Sequence, residues 1–531
     1  MRWMIRKALS ISSAALALAA CASAPSTEGR LKAQGDPGAR AGAPAGAPAP
    51  PAGKGYAREG LTGLPAEPYR VEVQTVERQG GHTLLTMEIV LLLTENTSGQ
   101  AAFGDGLSGT DFSRFALLDP VAKKAYSPLL EKEGGAAYGT RRDYWIHPGV
   151  RYQVQVYFPA LPAGTGRITV LAPGSLGEYA GIPVTEGTPR PVPTATSTRG
   201  SDAPPPGSVV RWPVTPPSGT PWSQVADLHE LVEHPQKSTV NEGSTETVAL
   251  RTDVLFAFDK AELSPKAAAV LDEVAAETRL RADPAKPPVI IEGHTDGKGG
   301  DSYNLPLSVR RAEAVRAHLE RRLGSEYTYK TAGKGAAEPI APNTVEGKDN
   351  PEGRARNRRV EISYRIRDHK PGATVSPGPS AGAGQGSARA SAFRRDDGQV
   401  VGSLRRKTCC TELRLDVRPF YRDGSYLVGV YDVVNVGGGD HNVVYTPFAD
   451  IAHHWSDRAA FGRLTVVDPR TKSRYYSVRT GKERHVEGEL LFLPRGKTNR
   501  IFVYYPAPPD AVTALTLDGG ELGRVGNVPI R

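Results

Sequence analysis

Two residues of opposite charge, Asp296 and Arg311, have the types and spacing that best suit ligand binding in this sequence. Asp296 follows Val289-Ile290-Ile291, a short apolar run that predicts a strand. Arg311 lies in a segment with apolar residues at helical spacing, and at about 100° per residue it falls inside the apolar arc. An inward arginine is costly unless it is paired. The pattern therefore predicts either a salt bridge between Asp296 and Arg311 or a binding site for a ligand that carries both charges. A ligand carboxylate would suit Arg311, because a guanidinium group can donate two parallel hydrogen bonds to a carboxylate.

Three further residues are candidates for the same site. Thr295, at the end of the predicted strand, is placed to line it. Asn304 can bond a ligand carboxylate or cap the helix, and Pro306 can shift the helix start, which bears on the choice. Arg358 can contact the ligand or form a solvated pair with its neighbour Arg359.

The elements that must position these residues alternate along residues 225–366. Val248 to Phe258 predicts a strand. Ser264-Pro265 supplies an N-cap and a first-turn proline for a helix with Val270, Leu271 and Val274 on one face. A second helix is predicted to run to about Leu323, and alternation from Val360 to Ile366 predicts a last strand. This order is typical of a small α/β sandwich with helices packed on one sheet.

The blocks on either side of this segment resemble each other. Phe115 to Pro120 parallels Leu464 to Pro469, Tyr157 to Pro162 parallels Tyr504 to Pro509, and Gly181 to Val184 parallels Asn527 to Ile530. The order is kept at a nearly constant offset, which indicates a duplication. Alternating short strands with turn residues predict an immunoglobulin-like β-sandwich of about 130 residues per copy.

Pro-, Gly- and Ala-rich stretches separate the blocks and lack the apolar side chains that would offset the entropy of ordering. The predicted class is α+β multidomain, a central α/β sandwich between two duplicated all-β sandwiches. The predicted boundaries are 1–20 signal peptide, 21–55 linker, 56–185 first sandwich, 186–224 linker, 225–366 α/β domain, 367–395 linker and 396–531 second sandwich.

The N-terminus carries a charged segment and a short apolar run that ends in Leu18-Ala-Ala-Cys21, which resembles a bacterial lipobox. The resemblance implies acylation of Cys21, palmitate included, and removal of residues 1–20. An ordinary secretory signal is the alternative. Cys409 and Cys410 are adjacent, and the sequence leaves open a vicinal disulfide, a reduced pair or an intermolecular link.

The middle block carries an ordered set of motifs that resembles the OmpA C-terminal domain family: Phe256-Ala-Phe-Asp259, Gly293-His-Thr-Asp296, Tyr303-Asn304, Leu307-Ser308, Arg311-Ala312, Gly333-Lys-Gly335 and Asn357-Arg-Arg-Val-Glu-Ile362. The resemblance implies non-covalent binding of peptidoglycan through the diaminopimelate of its stem peptide. Asp296 would accept the ammonium group and Arg311 would pair with a carboxylate. The lipid anchor that the lipobox implies adds an expected location in the cell envelope, in the outer membrane if the host has one and otherwise at the outer face of the cytoplasmic membrane.

Other classes of function find less support. No hydrolase, P-loop or zinc motif occurs, so we expect no enzyme, no cofactor and no metal site. Asp440, His441, His453, His454 and Asp457 fit no standard ligand spacing. The 66 basic and 57 acidic residues are interspersed, which does not favour nucleic-acid binding. A stator-like role would need a membrane-spanning helix that the sequence lacks. The alternative function is an adhesion protein or scaffold whose sandwiches bind other envelope proteins.

Overall fold

The structure is a computed structural model, which describes residues 55–62, 67–93, 103–104, 111–142, 146–188, 191, 194–196, 204–367, 389–395, 398–407, 412–437, 455, 460–481, 484–489, 493 and 495–531. The predicted signal segment, Cys21, the Cys409–Cys410 pair and the group Asp440, His441, His453, His454 and Asp457 lie outside these residues.

The first block packs two layers of sheet around an apolar core. One layer joins β1, β2, β3 and β7 in antiparallel order, and the other joins β5, β4, β8 and β9. Val71 and Val73 alternate into the core as predicted, and the Gly80-Gly81 turn closes the β2–β3 hairpin. The strands are β1 (Tyr56–Leu61), β2 (Pro68–Gln79), β3 (His82–Leu91), β4 (Ala116–Asp119), β5 (Lys124–Tyr126), β6 (Gly139–Thr140), β7 (Arg151–Pro159), β8 (Arg167–Leu171), β9 (Glu178–Glu186), β10 (Val209–Arg211) and β11 (Val214–Thr215).

Part of the predicted linker 186–224 belongs to this block, which corrects its proposed boundary. β10 pairs with β7 and β11 pairs with β6. Between them Trp212 is 1% exposed and stacks on Tyr152 with ring centroids 4.2 Å apart. One buried aromatic residue holds this part of a Pro-rich segment against the core.

The middle block is a sheet with helices on one face, as predicted. Its sheet runs β13–β14–β19–β15–β16, and only β15 and β16 are parallel. The elements are β12 (Val225–Glu233), β13 (Lys237–Glu242), β14 (Thr245–Arg251), α1 (Thr252–Leu255), α2 (Pro265–Arg281), β15 (Val289–His294), α3 (Asp301–Leu323), β16 (Tyr329–Gly335), β17 (Thr344–Val345), β18 (Lys348–Asp349), α4 (Pro351–Asn357) and β19 (Arg359–Arg365).

Most of the predicted elements of this block are confirmed. Ser264 caps α2 by accepting the Ala267 N–H at 3.2 Å, with Pro265 in the first turn. The strand predicted from Val248 to Phe258 is wrong in its second half. The chain leaves the sheet after β14 and forms α1, because its partner strand β19 begins at Arg359, opposite Arg251, and offers no further residue to pair with.

The last block repeats the strand pairings of the first. The pairs β21–β23 and β23–β28 match β2–β3 and β3–β7, and β24–β25, β24–β29 and β29–β30 match β4–β5, β4–β8 and β8–β9. The immunoglobulin-like assignment stays a prediction. The elements are β20 (Gly402–Lys407), β21 (Glu412–Val417), β22 (Tyr421–Asp423), β23 (Tyr426–Asn435), β24 (Thr465–Val467), β25 (Arg474–Tyr475), β26 (Arg479–Thr480), β27 (Arg484–His485), β28 (Thr498–Pro506), β29 (Ala514–Asp518), a 3₁₀ helix (Gly520–Leu522) and β30 (Arg524–Pro529).

Strand β12 connects all three blocks, which belong to one compact unit, Ala52–Arg531. It pairs with β13 of its own block, with β5 of the first and with β25 and β26 of the last. Within β12, Glu230 is fully buried and forms an ion pair with Lys123 of the first block at 2.6 Å. Hydrogen bonds of the sheet therefore run continuously from the outer blocks into the middle one.

Candidate functional site

The candidate site lies where β15 ends and α3 begins. Asp296 follows the strand, and Arg311 projects from the third turn of the helix. Helix and sheet approach closely because two glycines lie between them. A Cβ atom on Gly293 would lie 2.1 Å from the Ser308 carbonyl oxygen, and one on Gly333 would lie 2.5 Å from the Ser308 Oγ. The glycines thus bring the strand end and the helix face together.

Asp296 is held by a neighbouring guanidinium. Its Oδ2 accepts a hydrogen bond from Arg358 Nη1 at 2.8 Å, and its Oδ1 accepts the Lys298 backbone N–H at 3.0 Å. The Asp296 side chain is 12% exposed, so this contact is partly shielded from water. The carboxylate is therefore fixed in one orientation at the site.

Arg358 joins two carboxylates. It also donates two hydrogen bonds to Asp253 of α1, from Nε to Oδ1 at 3.3 Å and from Nη2 to Oδ2 at 2.7 Å. The hydrogen bonds to Asp253 raise the pKa of Arg358, and the contact with Asp296 adds to this rise. Arg358 is thus a charged link between α1 and the end of β15.

Arg311 is buried without a charged partner in hydrogen-bond contact. The residue is 6% exposed, its Nε donates to the Lys260 carbonyl oxygen at 3.0 Å, and its guanidinium carbon lies 5.4 Å from the centroid of the Phe256 ring. Burial lowers the pKa of Arg311, although the charges of Asp253 and Asp259 oppose this. Across the described parts of the chain, Arg311 forms no ion pair within 4.0 Å.

The bridge between Asp296 and Arg311, one of the two sequence-based alternatives, is not formed. Asp296 is paired with Arg358 instead, and Arg311 faces the same charged cluster through Asp253. The structure therefore places both residues in one cluster of charges, in which Asp296 is ion-paired and Arg311, among the described residues, is not. Such a cluster can accept a ligand that carries an ammonium group and a carboxylate.

Comparison with known proteins identifies this part of the chain. Residues 255–358, which hold both charged residues and their partners Arg358 and Phe256, match the OmpA family. These residues form an OmpA-like domain. The match covers the recognised motifs except for residues 359–362 of the last one.

Two curated relatives align with the OmpA-like domain. Outer membrane protein A of Bordetella avium is 41% identical over 115 residues, 22% of this chain and 55% of that protein. Peptidoglycan-binding protein ArfA of Mycobacterium tuberculosis is 40% identical over 109 residues, 20% of this chain and 31% of that protein. The chain thus spans about half or less of the length of these relatives.

Two solved structures are also similar to part of this chain. The cell wall anchor of the T6SS from Pseudomonas aeruginosa is 29% identical and covers 25% of this chain and 89% of that one, with a TM-score of 0.22. The peptidoglycan-associated lipoprotein from Burkholderia pseudomallei is 28% identical, with a TM-score of 0.17 over 21% of this chain and 88% of that one.

Thr295 and Asn304 lie at the site and donate hydrogen bonds to backbone carbonyl oxygens around it. The Thr295 N–H donates to the Gly335 carbonyl oxygen at 2.9 Å. Asn304 does not cap α3, which begins after Gly300. Instead its Nδ2 donates to the carbonyl oxygens of Lys298 at 3.0 Å and Gly299 at 3.2 Å. Both residues fix the loop that carries Asp296. Pro306 lies inside α3 and does not delay its start.

Two residues that shape the site had no predicted role. Asp253 was placed in a strand, so its contact with Arg358 could not be foreseen. Asn357 belongs to the recognised motif, and its side chain bonds the backbone of Ile340 and Ala341 and the side chain of Asn343 at 2.8–3.0 Å. Asn343 Oδ1 in turn accepts the Gly297 N–H at 3.2 Å. The presence of Asn357 in the recognised motif, directly before Arg358, was the sequence signal that could have indicated its role.

None of the helices within the described ranges combines the length and the apolar character needed to cross a membrane.

Proposed function

We propose that this protein binds peptidoglycan without cutting or building it, by holding the diaminopimelate of the stem peptide between Asp296 and Arg311. The observation that carries the proposal is the burial of Arg311 with no ion pair in the described residues. A buried guanidinium in this state is costly, and a ligand carboxylate would supply the missing partner. The name of the ArfA relative, a peptidoglycan-binding protein, supports the same ligand class.

The chemistry of the ligand matches the two charges. The side chain of meso-diaminopimelate ends in one ammonium group and one carboxylate. In the proposed complex, Asp296 accepts the ammonium group while Arg358 keeps the aspartate oriented, and the guanidinium of Arg311 pairs with the carboxylate. Thr295 and Asn304 keep the loop in place. No step in this binding requires a cofactor or a nucleophile.

The affinity of one site is expected to be modest. Two charge-assisted contacts contribute about 1.5–3 kcal/mol each, or about 3–6 kcal/mol together before the cost of ordering the ligand, which corresponds to binding in the range of roughly millimolar to tens of micromolar. A membrane anchor would raise the effective concentration of the wall to about millimolar. We therefore propose that Cys21 is acylated and tethers the protein in the cell envelope, in the outer membrane where one exists.

The outer blocks are proposed to be immunoglobulin-like sandwiches that act as rigid spacers. Their sheets are joined to the OmpA-like domain through β12, so they can hold the binding site at a fixed orientation. Binding of other envelope proteins by these blocks is the alternative role. The alternative would be supported by a pull-down from envelope extract in which a protein that binds the wild-type chain also binds an Asp296→Ala variant.

The ligand is tested by comparing two wall chemistries. Full-length protein is incubated with sacculi of the diaminopimelate type and with sacculi whose stem peptide carries lysine, and bound protein is pelleted. Lysine keeps the ammonium group and lacks the carboxylate that Arg311 would bind. We expect pelleting with the first and a loss of at least about tenfold with the second. Equal pelleting with both would contradict the assignment of Arg311.

The anchor is tested separately. Labelling of cells with a palmitate analogue is expected to mark the wild-type chain and to leave a Cys21→Ser variant unmarked. Labelling of both chains, or of neither, would contradict acylation at Cys21.

A further inference from the structure

His294, on the strand that leads to the site, is buried with both ring nitrogens unsatisfied. The residue is 1% exposed, and neither Nδ1 nor Nε2 has a hydrogen-bond partner among the described residues. Burial lowers the pKa of His294 to about 4, so the imidazole is neutral near pH 7 and keeps a lone pair. An unpaired buried imidazole costs free energy and requires an explanation.

Two carboxylates lie beside this ring. Glu292 precedes His294 by two residues on β15 and so shares its face of the sheet, and Glu361 is the direct partner of Glu292 on β19. His294 Nε2 is 3.8 Å from Glu361 Oε2, and one ligand atom from each of the three residues lies within 4.8 Å of the other two. This face is opposite to the helices, since Ile291 and Ile362 point into the helix-covered core.

We propose that Glu292, His294 and Glu361 bind a divalent transition-metal ion of the zinc class. One imidazole nitrogen with two carboxylate oxygens suits ions of this type better than it suits Mg²⁺ or Ca²⁺, which prefer oxygen ligands alone. The ion would satisfy a nitrogen of His294 and leave at least one coordination position for water. This site is independent of the proposed binding of peptidoglycan.

The cations next to the triad set a limit on its affinity. Lys334 Nζ lies 3.2 Å from Glu292 Oε1, and Arg359 Nε lies 2.6 Å from Glu361 Oε1. A metal ion must compete with both. Each cation has other partners: Lys334 bonds Glu338 at 2.9 Å, and Arg359 donates to the carbonyl oxygens of Asn357 at 3.3 Å and Glu338 at 3.2 Å. Release of the two glutamates therefore leaves neither cation without a partner.

The charge and the geometry of the cluster permit an ion. Glu292, Glu338 and Glu361 carry three negative charges against two positive charges on Lys334 and Arg359. Ligand atoms around a tetrahedral zinc ion at about 2 Å lie roughly 3.3 Å apart, so the distances within the triad must shorten by up to about 1.5 Å. The glutamates can supply this movement because their side chains are 25% and 21% exposed.

The test uses full-length protein, with Zn²⁺ titrated calorimetrically and Co²⁺ followed by its visible absorption. Other histidines and cysteines of the chain can bind metal, so the number of ions at this site is obtained as the difference between the wild type and a variant. We expect His294→Gln to lose one equivalent of bound ion relative to wild type, and the matched variant His318→Gln, on α3, to lose none. Should His294→Gln fail to fold by circular dichroism, Glu292→Gln takes its place.

A second pair of variants distinguishes a metal site from a purely structural cluster. Lys334→Met removes a competing cation and is expected to tighten binding at the His294-dependent site roughly fivefold. Lys330→Met, which removes an exposed lysine of the same strand, should leave it unchanged. The proposal is overturned if wild type and His294→Gln bind the same number of ions, or if Lys334→Met fails to tighten binding.

Discussion

Replacing Arg358 with methionine is expected to loosen the site by freeing Asp296. The contact between Arg358 Nη1 and Asp296 Oδ2 is 2.8 Å long, and the two side chains are 28% and 12% exposed. A charge-assisted hydrogen bond in such a position contributes about 1.5 kcal/mol. The bonds to Asp253 add less than about 1 kcal/mol, because that carboxylate is 59% exposed. The total loss is therefore about 2 kcal/mol.

This loss is measured by hydrogen–deuterium exchange of peptides from β15 and the start of α3. A change of about 2 kcal/mol in local opening accelerates amide exchange roughly 30-fold. Arg365→Met, which removes an exposed arginine farther along β19, is the control and should leave these peptides unchanged.

A double-mutant cycle then tests whether Arg358 acts through Asp296. Asp296→Ala should lower the free energy of local opening by about 1.5 kcal/mol less in the Arg358→Met background than in the wild type, because the hydrogen bond between the two residues is already absent. If the two substitutions are additive, Arg358 does not hold Asp296 in its orientation.

Three further predictions concern the framework. Gly293→Ala should destabilise the OmpA-like domain by about 1–3 kcal/mol, seen as a lower Tm and weaker wall binding, because the added Cβ meets the Ser308 carbonyl oxygen at 2.1 Å. The pKa of His294 is about 4 in the folded protein and 6.5 as its ordinary value, so between these pH values the unfolded chain binds more protons than the folded one. The free energy of unfolding should therefore fall as the pH decreases from about 6.5 to about 4. His294→Gln should reduce this pH dependence, as measured by urea titrations. Lys123→Met should lower the free energy of unfolding by about 3–5 kcal/mol, because it removes the cation that pairs with the fully buried Glu230 carboxylate, and an added Glu230→Gln should recover much of the loss in Tm.

The local elements of the OmpA-like domain could be predicted because their signals are local. Ser264 and Pro265 mark a helix start by their own chemistry, and the apolar period of α3 places Arg311 inward without any knowledge of its neighbours. The glycine of the Gly293-His-Thr-Asp296 motif has a role that appears only with the packing, where it lets α3 approach the sheet.

The partners within the site could not be predicted, since they depend on distant pairings. Asp253 meets Arg358 because the chain leaves the sheet after β14, and the β-branched and apolar run around it is typical of a continued strand. For the same reason the contact between Arg358 and Asp296 was not among the arrangements that the sequence predicted. The connection of the three blocks through β12 is equally non-local, and the low-complexity composition of residues 186–224 conceals the buried Trp212.

The most direct test of the central claim is co-sedimentation of the full-length protein with diaminopimelate-type sacculi. Asp296→Ala and Arg311→Ala are compared with Asp301→Ala and Arg310→Ala, which remove exposed charges of the same sign nearby. We expect the first pair to stay in the supernatant while the controls pellet like the wild type, with circular dichroism unchanged in all four. Pelleting of Asp296→Ala or Arg311→Ala at the wild-type level would contradict that claim.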